Sequence, residues 1–520
     1  MSRLEKLRER RRSRRGSFVA VLVALGVAGT AALAAYRFGA FDRSPPGGWP
    51  TADPSASAVP EPTGRIEAPR EEAVEPDPGP INTGVEGLTT FRGNATRTFY
   101  GMGPVPRRPE VLWRYPESGG LCSRSGDREG TKTWCGTGWT GQPNVVDPDD
   151  GPVQVRFGAY DRAVHILHSR TGELLYEPFV TGDIIKGTVT SDPDGYPLLY
   201  TGSRDDHLRI LALDRGRRLA ELWRLSADSA PNPMWNNDWD GSPLIVGDYL
   251  LVGGENSWFY VIRLNRGFDD DGRVTVDPRI RLMVPGFDDR LLADLGDTEV
   301  SIENSVAFHD GVAYFANSGG LVQGWDISRV LEGGAKARRV FRFWTGEDTD
   351  ASVVIDEEGA LYVASELERR GARSNEIGQL LKLDPGRRRN PVVWDLPVPG
   401  EGGDGGMWAT PGLAGDAVIV ATNTGRILGV ERDSGRIAWE IPLAPPTWAS
   451  PVIVDDVLIV GDCAGVLHAY RLRDDPRAGP PRELWSVQLE GCIESTPAVW
   501  RGMVYVGARG GAVYGIGDPR

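Results

Sequence analysis

Eight positions stand out for the chemistry they could do together: Thr140, Lys186, Asp240, Glu303, Asp350, Trp408, Trp448 and Glu494. They fall 40 to 63 residues apart, and each immediately precedes a short residue followed by Ser, Thr or Gln. If one recurring element positions them, four carboxylates, one ammonium and two indoles converge on a single place. Carboxylates are oxygen ligands for a cation such as calcium, and indole faces stack flat ligands. Asn236, Asp238 and Asn304 could add further oxygens. The competing reading is a polar mouth filled with water, in which the acids pair with Lys186 and nearby arginines. Either reading depends on strand register, because a slip of one residue turns the whole set to the other face.

The four cysteines form a second set. Cys122 and Cys135 lie 13 apart in a loop rich in Gly and Ser, while Cys463 occupies a turn and Cys492 the loop leaving the same unit. Four cysteines allow three pairings. Nearness favours Cys122 with Cys135 and Cys463 with Cys492, which suits an oxidising compartment; each bridge would contribute on the order of 3 kcal/mol. A metal site is the alternative, although no histidines cluster beside them. Other motifs carry less. Gly136-x-Gly138-x-x-Gly141 precedes a strand rather than a helix, so a bound pyrophosphate would have no helix dipole behind it. His165 and His168, three apart on a strand, point to opposite faces. There is no His-Glu-x-x-His and no Gly-x-Ser-x-Gly. Asp269-Asp270-Asp271-Gly272 reads as a solvated hairpin turn rather than a calcium loop.

The element that must position the eight residues is a repeat, and a repeat has to be found before strands are assigned. Its first piece is a short apolar strand opening with Gln142, Thr188, Ser242, Ser305, Ser352, Thr410, Ser450 or Thr496. A glycine-bearing turn and an alternating strand follow, as in GAYDRAVHIL from Gly158 and GDCAGVLHAY from Gly461. Aromatic strands such as VLWRYP, ELWRLS, VVWDLP and IAWEIP recur alongside. Alternating Val, Ile and Leu between Gly, Asp and Asn is a hairpin pattern. Eight units over residues 88–520 leave room for four short strands each, and four-stranded sheets repeated radially make a β-propeller. The expected fold is all-β, an eight-bladed propeller. Because WRY at 113–115 precedes the first unit, the last unit should borrow an early strand and close the circle. Insertions near 265–300 and 366–378 should protrude, and such insertions are often where repeat proteins bind.

The amino terminus is organised differently. Residues 1–15 carry eight Lys or Arg against two Glu. They precede an uncharged run from Gly16 to Tyr36, closed by Arg37 and long enough for one bilayer core. With about 19 apolar residues the run exceeds the usual 7–15 of a signal core, which favours an uncleaved anchor; a cleaved leader would use Ala32-Leu33-Ala34. The positive-inside rule puts 1–15 in the cytoplasm as a basic tail, 16–37 across the membrane and the rest outside. Residues 38–87, rich in Pro and acidic, read as a disordered linker. The net charge of −14 becomes about −20 once the basic tail is set aside, which disfavours nucleic-acid binding.

Segments such as GDCAGVLHAYRL and TNTGRILGVERDSGRIAW resemble the PQQ-like, quinoprotein-type β-propeller repeats, in which a strand ends in Ala-x-Asp-x-x-Thr-Gly-x-x-x-Trp; Gly425 to Trp439 matches best. The resemblance covers residues 88–520. Its members include quinone-dependent dehydrogenases and non-catalytic scaffolds, so it implies the fold more strongly than the activity. It implies a membrane-anchored, extracytoplasmic binding or scaffolding module of the bacterial cell envelope, with a protein or envelope ligand. The alternative it implies is an oxidoreductase using PQQ and Ca in the central funnel. That reading lacks an adjacent Cys-Cys pair and a haem Cys-x-x-Cys-His segment, so no catalytic residue is carried over.

Overall fold

The computed structural model describes residues 84–127, 130–139, 141–400 and 405–519. The basic tail, the apolar run 16–37 and residues 38–83 of the linker lie outside them, as does Thr140. Among the described residues no helix is long and apolar enough to cross a membrane.

Eight antiparallel meanders of four strands follow one another along the chain. Their innermost strands are Asn144–Asp147, Thr190–Ser191, Leu244–Val246, Ala307–His309, Val354–Ile355, Gly412–Ala414, Val452–Val454 and Ala498–Trp500, which define blades 1 to 8. The outer strand of blade 8 is Glu110–Tyr115, paired with Ala512–Gly517, so the circle closes through the early WRY segment. A single sheet has two apolar faces and needs a neighbour on each. Accordingly the apolar core is a set of eight wedges, each between adjacent blades. One joins blade 2 to blade 3 through Tyr200, Ile210, Leu250 and Tyr260; another joins blade 8 to blade 1 through Val145, Phe157, Ala498 and Tyr505.

The recurrent Ser, Thr or Gln now has a physical reason. At the start of each inner strand, which we call the upper mouth, the backbone N–H of one blade donates to the hydroxyl of the next. Gln142 N–H donates to Thr188 Oγ1 at 2.9 Å, Thr188 to Ser242 Oγ at 3.0 Å and Ser242 to Ser305 Oγ at 3.1 Å. Ser305 donates to Ser352, Ser352 to Thr410 and Thr410 to Ser450 in the same way, and Thr496 N–H donates to the Gly141 carbonyl. The outer strands carry a second latch. Trp113 donates its indole N–H to the Ser169 carbonyl of blade 1 and Trp394 does the same to Arg432 of blade 6, both at 2.8 Å. Each indole lies against a glycine of the receiving turn, Gly172 and Gly435, where a Cβ would collide with the ring.

The central channel is filled by residues 86–102, which precede the repeats. Glu86–Leu88 enters from the lower mouth and pairs with blade 1. The segment then turns, and Gly101–Met102 leaves parallel to the inner strand of blade 8. Between them Thr89 accepts from Ser191, Thr90 donates to the Pro243 carbonyl, and the Ala95 and Thr96 carbonyls accept from Phe308 and Ile355. Arg92 and Arg97 are both fully buried. Arg92 Nη2 donates to the Thr410 carbonyl at 2.6 Å, and Arg97 donates to the carbonyls of Val306 and Phe91. Burial lowers both guanidinium pKa values, Arg97 to about 9.

Both expected disulfides are formed, Cys122–Cys135 and Cys463–Cys492. The first ties the base of the hairpin Cys122–Asp127 and Gly130–Cys135. The acidic turn at 269–272 caps a small hairpin, Gly267–Phe268 with Val274–Thr275. The other insertions do not stand free. Helix α1, Asp289–Leu295, buries Leu291 against Val300 and Leu321. Glu366–Leu367 pairs with Gly405–Gly406, and Arg369 donates to the Ser318 and Glu299 carbonyls. These loops cover the upper mouth over blades 3 to 5.

Replacing Ser242 by Ala leaves the buried Thr188 N–H without its acceptor, which costs about 1–3 kcal/mol; chemical denaturation should show that loss, whereas Ser242→Thr keeps most of the stability. Thiol reagent added to the denatured, unreduced protein should label none of the four cysteines.

Candidate functional site

The strand starts do bring the sequence-predicted residues to the upper mouth, in two groups. An acidic arc spans blades 2 to 5. Asp240, completely buried, receives the Lys186 ammonium as an ion pair, and Glu255 lies 3.8 Å from the same nitrogen. Asp238 holds Arg204 at 2.5 Å, and Asn236 donates to Glu255 at 2.9 Å. Asp238, Asp240 and Glu255 bring their carboxylates within 4.8 Å of one another, as do Asp348, Asp350 and Glu366. Glu303 stands between the two groups and accepts from Ser301 at 2.6 Å.

The second group faces the arc from blades 1, 6 and 7. Trp408 packs against Trp448 at 4.7 Å between ring centres and against Trp139 at 5.7 Å. Glu494 of blade 8 pairs with Arg509 at 3.1 Å. Tyr160 lies beside them, electrostatically coupled to Glu494, Arg509, Lys186 and Asp240. Trp134, on the disulfide-closed hairpin, is flanked by Lys132, Arg204 and Arg509 within 6 Å of its ring.

Electrostatically the two acidic groups differ. Around Asp240 and Glu255 the protein supplies its own cations, and the surrounding acids raise the Lys186 pKa despite its burial. Burial pushes Glu255 well above the carboxylate range, and Asp240 and Glu303 add repulsion. Burial, with Asp240, also moves Asp238 up to about 7 against the pull of Arg204. Around Asp350, burial and then Asp348 and Glu303 push the carboxyl well above its ordinary value, and Asp348 is raised for the same reasons, with Glu366 its nearest charge. Both groups therefore hold their protons more tightly than a solvated carboxyl does. Among the described residues, Oδ1 of each has no hydrogen-bond partner.

Several expectations need correction. The acids do not line an open, water-filled funnel: Asp240 is fully buried and Asp350 is 8% exposed, because the loops of blades 3 to 5 fold over them. Asn304 is not a free oxygen donor. Its amide bonds the Ala316 and Thr349 carbonyls and accepts from the Ala316 N–H, so it latches strands together. Sequence reading also missed Glu255, Asp348, Glu366, Tyr160, Trp139 and Arg509. A signal existed for one of them: Asp348-Thr349-Asp350 repeats the spacing of Asp238-Trp239-Asp240, and alternate residues of an extended chain share a face.

The fold is an eight-bladed β-propeller, and comparison with known proteins finds a sequence match over part of it. Residues 378–475 match the sequence family described as "Outer membrane protein assembly factor BamB". A curated protein of that name from Xanthomonas campestris pv. campestris is 35% identical over 82 residues, 16% of this chain and 19% of its own length. Another, from Moranella endobia, is 28% identical over 107 residues, 20% of this chain and 26% of its own. The match thus spans about a quarter or less of either relative. Among solved structures, a europium-containing methanol dehydrogenase superposes with TM-score 0.54 at 12% identity, covering 83% of this chain and 98% of that one. The quinohemoprotein alcohol dehydrogenase of Comamonas testosteroni gives 0.53 at 13%, covering 84% and 81%. Likeness at such identity concerns the fold.

A carboxyl whose ionisation is resisted in the folded state keeps its proton there to a higher pH than when unfolded. Its contribution to stability is complete below the unfolded value, near 3.8 for Asp, and is lost as pH rises through the folded value. The melting temperature should therefore rise on acidification from pH 8 to pH 5. Asp350→Asn should raise it at pH 8 and flatten the profile; an unchanged slope would contradict the raised Asp350 pKa.

Proposed function

We infer that the chain is a single-pass, membrane-anchored protein whose propeller works outside the cytoplasm as a binding or scaffolding module of the bacterial cell envelope. The amino terminus, residues 1–15, stays inside, the run 16–37 spans the bilayer, and 38–83 tethers the propeller, the expected linker 38–87 being shortened because Glu86–Leu88 pairs with blade 1. The observation that carries the binding role is the closed channel. With residues 86–102 filling it from below, the upper mouth is a blind cup, rimmed by insertion loops and stiffened by two disulfides, and suited to receiving a partner rather than passing a solute. The compartment is supported by the paired cysteines, and the envelope role by the short match to assembly-factor repeats.

The second reading, a PQQ- and calcium-dependent oxidoreductase, meets a mixed fit. Asp348, Asp350 and Glu366 offer the oxygen set a calcium ion takes. At the other acidic group Lys186 and Arg204 already neutralise the carboxylates. Trp408, the indole that a quinone would have to cover, is packed against two other indoles. The scaffold reading is the better supported.

Its test uses the full chain in its membrane. Protease added to intact spheroplasts should digest the propeller or its linker while leaving 1–15 protected. Photo-crosslinkers at Lys132 and Arg290 on the upper mouth should capture one discrete envelope protein, and the same probe at Arg388 on the lower face should not. Equal labelling from both faces would overturn the assignment of the upper mouth. Thermal shift with PQQ and calcium should show no stabilisation; saturable stabilisation abolished by Asp350→Asn would favour the oxidoreductase.

A further inference from the structure

The upper mouth already holds two arginines in one manner. Arg509 lies 5.0 Å from the Trp134 ring centre and 4.8 Å from that of Tyr160, and it bonds Glu494 at 3.1 Å. Arg204 lies 5.7 Å from the same indole and bonds Asp238 at 2.5 Å. A guanidinium set between an aromatic face and a carboxylate has both its plane and its charge matched. The same two kinds of group meet once more, where the aromatic half of the mouth borders the acidic half. Trp408 and Asp350 hold equivalent positions on adjacent blades, two residues before Thr410 and Ser352, and the Ser352 N–H donates to Thr410 Oγ1 at 3.0 Å. Glu366 pairs in register with Gly406, and the Met407 N–H donates to the Ser365 carbonyl, so the insertion of blade 5 runs beside Trp408. Trp408 packs against Trp139 and Trp448, and all three are half-buried, so indole is presented to a partner. Asp348 is half-buried where Asp350 is buried, which makes it the carboxyl of this border that a partner can reach.

The charged groups around Asp348 are Asp350, Glu303, Glu366, Glu368 and one cation, Arg369. That cation is engaged elsewhere: its Nε donates to the Ser318 carbonyl at 3.2 Å, Nη1 to Asp297 at 3.0 Å and Nη2 to the Glu299 carbonyl at 3.0 Å. Among the described residues Asp348 Oδ1 accepts no hydrogen bond. We propose that this border receives an arginine side chain from a basic segment of the partner protein, its guanidinium stacked on the indoles and bonded to Asp348. A metal ion would use the carboxyls and leave the indoles without a role, and a flat uncharged ligand would do the reverse; a guanidinium uses both. Charge along the rim favours basic flanks on the same segment, since residues 285–306 carry six acidic residues against Arg290 alone. An arriving guanidinium also supplies the cation that the acids here lack, so Asp348 gives up its proton on binding. The proposal rests on the binding role inferred above and gives the partner its chemistry.

The test titrates a fluorescent peptide, Gly-Arg-Gly-Arg-Gly, into the full chain in detergent micelles, with the lysine and glutamate versions of the same peptide for comparison. Saturable binding of the arginine peptide is expected, weaker binding of the lysine peptide and none of the glutamate peptide. Asp348→Asn should weaken it about tenfold, the loss of one charge-assisted hydrogen bond, and Trp448→Phe, which keeps a ring in place, should weaken it several-fold; melting curves confirm that both variants fold. Glu358→Gln on the lower face should change nothing. The affinity should rise from pH 5 to pH 8 as Asp348 loses its proton more readily. Absent saturation, equal affinity for the lysine peptide, indifference to Asp348→Asn, an equal loss from Glu358→Gln or a flat pH profile would each overturn the proposal. The scaffold reading would survive any of these results, because the crosslinks from Lys132 and Arg290 decide it separately.

Discussion

A twisted four-stranded sheet with two apolar faces has no stable solitary state, and the whole molecule follows from satisfying eight of them at once. Each blade must be flanked on both sides, so the array has to close on itself. Closure is enforced covalently along the chain by lending Glu110–Tyr115 to blade 8, and geometrically by the ring in which amide donors of one blade reach hydroxyls of the next. The hydroxyl ring fixes the angular step between blades at the upper mouth. The residue two positions before each hydroxyl is then presented to the centre, and Lys186, Asp240, Glu303 and Asp350 owe their meeting to this placement.

That convergence has an electrostatic cost which the protein meets in two ways. Near blade 3 it brings Lys186 and Arg204 into the cluster, so buried carboxylates find charged partners. Near blade 5, among the described residues, no cation makes a comparable hydrogen bond to Asp348 or Asp350, and burial with the neighbouring acids opposes their ionisation. The indoles on the opposite side carry no such cost. The upper mouth is thus polarised, acidic over one half and aromatic over the other, and its loops cover the acidic half.

The repeat made the fold legible: eight Ser, Thr or Gln residues in the same setting gave blade number and strand starts, the early WRY strand gave circular closure, and spacing gave both disulfides. The strand starts place Lys186, Asp240, Glu303 and Asp350 at the upper mouth, but their burial was not legible, because loop packing over blades 3 to 5 depends on contacts such as Arg369 to Ser318 that no periodicity records. The channel segment was illegible for a related reason. Leu88 to Met102 belongs to no repeat, and Arg92 and Arg97 look like surface residues until carbonyls from blades 4 and 6 are seen to receive them. Asn304 misled by type alone, since an amide bonding its own neighbours has the same letter as one awaiting a ligand.

The account rests most heavily on the channel being occupied by residues 86–102, since that makes the upper mouth blind. Native-state hydrogen exchange of the full chain reads it directly. The amides of Gly93, Asn94, Arg97 and Phe99, bonded within the segment, and those of Ser191, Phe308 and Ile355, bonded to it, should exchange as slowly as the inner strands. Rapid exchange of residues 88–99, with the blades still protected, would mean an open channel and would contradict the account.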